Sequence, residues 1–114
     1  MTGPAPVAYK VLTGPQMAQL LADGLFKGAA VDLADGFIHL SAADQVTGTV
    51  DKHFAGQSDL HIVAVDLPAL GDAVKWEVSR GGALFPHVYT NLPLAACTAH
   101  QQLARDAQGN VILP

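Results

Sequence analysis

Two short stretches carry side chains able to do chemistry: GFIHLS at residues 36–41 and FPHVY at residues 85–89. The first sets an imidazole and a hydroxyl two residues apart in an apolar run. Side chains alternate across a strand, so Phe37, His39 and Ser41 share one face while Ile38 and Leu40 share the other. Side chains two apart on a strand stand roughly parallel, so spacing alone does not make His39 and Ser41 a nucleophile–base pair. Two readings follow. The polar face is one wall of a ligand cleft, or His39 bonds to backbone while Ser41 caps the helix that follows.

In FPHVY, Pro86 fixes its own φ and restricts Phe85 before it. His87 and Tyr89 then project to one side of a stiffened aromatic segment. That suits a pocket wall for a polar, planar ligand, and equally a structural loop anchored by Phe85 and Tyr89. Glu77 is the single glutamate of the chain and follows the single tryptophan, Trp76. With Trp76 facing the core, alternation puts Glu77 on the other face beside Lys75 and Ser79. There it is a solvated partner of Lys75, or a carboxylate that grips a ribose hydroxyl or stabilises developing positive charge. His39, His53, His61 and His87 show neither HxH nor HExxH spacing, so no metal site is expected. Neither a P-loop nor a GxGxxG fingerprint is present.

The elements that hold these residues belong to a chain of 114 residues, the usual size of one domain, long enough to bury roughly two thirds of its unfolded surface. One domain over residues 1–114, with its core at about 7–104, is the expectation. Half the residues are hydrophobic and 14% are charged, which fits a compact globule rather than a disordered tail. The net charge is −4 and the six Lys and Arg are scattered, so no binding of nucleic-acid duplex is expected. Cys97 stands alone, which excludes a disulfide framework. MTGPAPVAYK has no basic region leading into an apolar stretch, and no apolar run nears the ~20 residues of a membrane span. A cytoplasmic protein without membrane contact is expected.

PVAYKVL (residues 6–12) reads as a first strand. Thr13 and Pro15 open a helix through QMAQLLADG, and Gly24 is placed to end it in a left-handed conformation. Residues 25–35 read as an irregular connection with Asp32, Asp35 and Gly36 as turn formers. After GFIHLS, Ser41 and Asp44 suggest a weak capping box for a second helix ending near Phe54. DLHIVAVDL (residues 59–67) is nearly continuous in branched apolar residues and reads as a central strand. AVKWEVS alternates as a strand and SRGG as a loop, while LFPHVYTNLPL with its two prolines reads as an ordered loop or edge strand. LAACTAHQQLA reads as a strand, followed by a turn and a short last strand in RDAQGNVILP. The order predicts α+β, with two helices in the first half packed on a mostly antiparallel sheet.

YKVLT, DGFIHLS, DQV, VKWE and FPHVY, in this order and spacing, resemble the small bacterial family called domain of unknown function 952 over residues 7–104. That family is similar in fold to the ADP-ribosyltransferases, which implies strongly bent sheets around a cleft. The resemblance implies NAD or a related nucleotide as the small-molecule ligand, and ADP-ribosyl or phosphoryl transfer as the reaction. It puts Lys10 where those enzymes hold a ribose with His or Arg. It puts Phe37, His39 and Ser41 along the nicotinamide pocket, and Glu77 in the role of the catalytic carboxylate. On this reading His39 and Glu77 are catalytic, and Lys10, Phe37, Ser41, His87 and Tyr89 bind ligand. The rival expectation is an interaction or regulatory domain that keeps the fold without the chemistry.

Overall fold

A computed structural model describes residues 6–114, the side chain of Arg80 excepted. In chain order the elements are β1 (Val7–Thr13), α1 (Gly14–Asp23), β2 (Leu25–Phe26), α2 (Ala30–Asp35), β3 (Ile38–His39), α3 (Val46–His53), β4 (Leu60–Asp66), β5 (Val74–Val78), β6 (Leu84–Val88), β7 (Leu92–Pro93) and β8 (Cys97–Gln102). Among the described residues they form three antiparallel sheets, β1-β4-β8, β2-β7 and β3-β6-β5. The fold class is α+β.

The sheet β1-β4-β8 separates two cores. On one face Ala8, Leu12, Val63 and Val65 pack with Met17 and Leu20 of α1, Phe26, and Ile38 and Val88 of the third sheet. On the other, Val11 and Ile62 pack with Val46 and Val50 of α3 and with Val111. β4 lies between β1 and β8 and is buried on both sides, which is why its sequence is apolar without alternation. The first and third sheets meet at one bridge, where Tyr9 and Ser41 exchange backbone hydrogen bonds of 2.8 and 2.9 Å.

α1 starts as its residues dictate. Thr13 Oγ1 accepts from the Gln16 N–H and Gln16 Oε1 accepts from the Thr13 N–H, closing a capping box, and Gly24 ends the helix at φ 74°. Thr13→Ala should therefore cost about 1 kcal/mol, read as a lower urea midpoint at an unchanged m-value.

Four sequence expectations are corrected. Residues 25–35 hold β2 and α2, so the first half contains three α-helices rather than two. α2 has only six residues, too few to show a helical period, and the N–H of Ala29 just before it is served by Asp32 from within the helix, with no side chain capping it from before. Ser41 does not cap α3, which begins at Val46 with Gln45 before it. LFPHV is the middle strand of β3-β6-β5, not an edge. Pro86 is tolerated there because its backbone turns toward the segment after β3: its carbonyl accepts from the Leu40 N–H at 3.0 Å, so the missing N–H lies on that side and not against β5. Finally, the C-terminal segment forms a turn closed by an Arg105–Val111 bridge, not a strand.

Candidate functional site

The register of the third sheet assembles the chemistry. His39 of β3 lies opposite His87 of β6, and Lys75 of β5 lies opposite His87 on its other side. Alternation therefore puts His39, Lys75, Glu77, Phe85 and His87 on one face and sends Ile38, Trp76 and Val88 to the other. Phe37 closes over the first face: its ring stacks on His87 at a centroid distance of 4.1 Å and lies 4.7 Å from His39 and 5.2 Å from Tyr89. The two imidazoles stand edge to face at 5.4 Å. Phe37, His39, Glu77, His87 and Tyr89 thus form one cluster.

Glu77 joins two of its members. Its Oε1 lies 2.8 Å from His87 Nδ1 and accepts from the Tyr89 hydroxyl at 2.7 Å. Those bonds, Tyr89 first and His87 second, hold the Glu77 carboxyl below its usual range, and the same contact raises the Tyr89 phenol. An ionised carboxylate can only accept, so His87 donates through Nδ1–H. The far nitrogen, His87 Nε2, is buried with no hydrogen-bond partner.

A second group lies beneath. Lys10 points from β1 into the interior and donates to both Asp32 oxygens at 3.3 and 3.2 Å and to the His39 carbonyl at 2.9 Å. An ammonium has three protons, so none is left for a ligand. Burial pulls Lys10 below its ordinary value, with Asp32 opposing that pull. Asp32 is almost wholly buried on α2, and burial alone would raise it. The Lys10 charge, the His39 ring at 2.6 Å and the N–H groups of His39 and Ala29 outweigh that and hold it low. His39 Nε2 meets Asp35 Oδ2 at 2.9 Å, so both ring nitrogens face carboxylates.

Of the seven residues singled out in the sequence, five converge. Lys10 supports the cluster from inside instead of lining it. Ser41 is separated from it, because after Leu40 the chain leaves β6 for β1, and its hydroxyl meets Thr49 Oγ1 of α3 at 2.9 Å. Sequence reasoning missed Asp32 and Asp35, read as turn formers. The available signal was Lys10 itself: a cation inside an apolar strand requires a buried acceptor.

A shallow cavity of about 230 Å³ opens beside the cluster, with Phe37, Tyr89, Asp32, Lys27, Thr90 and Asn91 in its lining. Small-molecule pockets usually measure about 300–1,000 Å³. This one fits a single planar group, with the rest of a larger ligand lying outside. Among the described residues no His, Cys, Asp or Glu side chains group in threes as a metal ion would need, and no helix is long and apolar enough to cross a membrane.

The model of the family described as "Protein of unknown function (DUF952)" matches residues 11–100. The chain belongs to this family. The DUF952 match spans β1 to β8 and so includes every residue of the cluster. The fold is similar to protein CC0527 from Caulobacter crescentus: its crystal structure is 46% identical, with 93% of each chain covered and a TM-score of 0.84. Its solution NMR structure is also 46% identical, covering 94% of this chain and 91% of that one, with a TM-score of 0.79. Comparison with the curated proteins finds no match.

Proposed function

We propose that this DUF952 chain binds a nucleotide-like small molecule, of the NAD or ADP-ribose kind, on the face of β3-β6-β5. The observation that carries this reading is Glu77, which holds His87 and Tyr89 on the same face as Phe37 and His39. A planar base or nicotinamide ring stacks on the exposed aromatic edge of Phe37 and Tyr89, in a cavity sized for one ring system. The half-exposed Glu77 carboxylate accepts from ribose hydroxyls, and the His39 ring, held in place by Asp32 and Asp35, borders the rest of the ligand.

The sequence resemblance, which implies a fold like that of the ADP-ribosyltransferases, extends the proposal to ADP-ribosyl or phosphoryl transfer, with Glu77 as the carboxylate and His39 orienting the ligand. One observation favours binding without ADP-ribosyl transfer: Lys10, at the position those enzymes give to a ribose-holding His or Arg, spends its protons on Asp32 and His39. The test is a thermal-shift and calorimetric screen with NAD, ADP-ribose, mononucleotides and sugar phosphates. Binding of the adenine or nicotinamide compounds with chemical-shift changes at Phe37, Glu77 and Tyr89 is expected. Sugar phosphates binding alone, or shifts confined to other faces, would overturn the reading.

A further inference from the structure

His87 Nε2 is the one buried side-chain nitrogen or oxygen left without a partner among the described residues. Buried polar atoms are nearly always satisfied, so an orphan on an otherwise well-bonded ring calls for a reason. Its surroundings supply one. Glu77 accepts the hydrogen bond from Nδ1–H, which leaves the lone pair of the neutral ring on Nε2. The Phe37 ring lies almost flat on the imidazole, with 26° between their planes. Phe37 follows Gly36, a left-handed residue at φ 87°, and belongs to neither α2 nor β3. Its side chain also lines the cavity.

We propose that Phe37 is a gate over His87, and that His87 Nε2 is the site's proton acceptor for a hydroxyl of the bound ligand. This rests on the ligand-binding reading of the same face. When Phe37 swings off the ring, a ligand hydroxyl reaches Nε2. The O–H proton passes to the Nε2 lone pair, the oxygen keeps the bonding electrons, and the imidazolium is held against the Glu77 carboxylate. The role differs from that of His39, both of whose nitrogens are taken by Asp32 and Asp35. The groups facing His87 are Glu77 and Lys75 from β5, His39 from β3 and Tyr89 beyond β6.

Two measurements on the whole protein test this. Two-bond 1H–15N spectra should show neutral His87 protonated at Nδ1 alone, and Glu77→Gln, whose amide can donate as well as accept, should admit the Nε2–H tautomer. Carbethoxylation by diethylpyrocarbonate, mapped by peptide mass, should leave His87 protected relative to His61 and His100. Removing the stacked ring in Phe37→Ala should speed its modification about tenfold. Phe37→Leu keeps apolar volume without the flat stack and should lie between. An Nε2–H tautomer in the unaltered protein, or equal protection in both Phe37 variants with an intact backbone spectrum, would overturn the proposal. Because neither measurement uses a nucleotide, a failed ligand screen with these results positive sinks the nucleotide reading and the acceptor role that rests on it, and leaves the Phe37 gate over His87 standing.

Discussion

Asp32→Ala should cost about 3–5 kcal/mol of folding stability, because it leaves the Lys10 ammonium buried without a counter-charge. At roughly 4 °C per kcal/mol for a domain of this size, the melting temperature should fall by about 12–20 °C. The paired replacement Lys10→Met with Asp32→Asn separates this from loss of volume. It removes both charges and keeps one side-chain oxygen, which can serve the N–H of His39 or of Ala29 but not both, so part of the loss should return. Acid acts on the same pair. Asp32 titrates below its ordinary 3.8 in the fold, so its contribution is complete above about pH 5 and is lost as pH falls through the lower folded value. The stability gap between the original chain and the double variant should be flat from about pH 5 to 7 and change only below about pH 5. A single variant costing under ~1 kcal/mol, or a double variant as unstable as the single one, would remove Asp32 from this role.

The parts of the fold legible in the sequence are those with local causes. Thr13, Pro15 and Gly24 bracket α1 because caps and left-handed residues act within one turn. β4 is legible because a strand buried on both faces must be apolar throughout. β6 was misread because the cost of Pro86 depends on which neighbour its N–H would face, and that is fixed by Leu40, 46 positions earlier. α2 and β2 were missed because elements of six and two residues carry no period.

The site divides in the same way. Alternation along GFIHLS and FPHVY put Phe37 with His39, and His87 with Tyr89, on shared faces, and the strand register brings the two pairs together. Ser41 obeyed alternation only while the strand lasted, and β3 ends at His39. The Lys10–Asp32 pair is invisible to any local pattern, since its partners stand 22 residues apart and meet only in the folded chain.

Glu77→Ala should weaken binding of the nucleotide found by the screen about 10–100-fold, the range of losing a charge-assisted acceptor together with the groups it orients. Tyr89 and His87 both bond to the same oxygen, so the variant frees a phenol and unlocks an imidazole as well as deleting a ligand contact. Tyr89→Phe removes one of those bonds and should lose less, about 3–10-fold. Ser41→Ala provides the contrast. Its hydroxyl is buried against Thr49 on the far side of the Tyr9 bridge, so it should lower stability by about 1 kcal/mol and leave affinity within about twofold. Titration calorimetry gives the affinities, and urea unfolding shows whether each variant remains folded at the concentrations used. If Ser41→Ala weakened binding as much as Glu77→Ala, the ligand would have to lie along the seam between the first and third sheets. If neither did, the polar face around His39 and His87 would be an interior network that fixes the packing of β3 on β6.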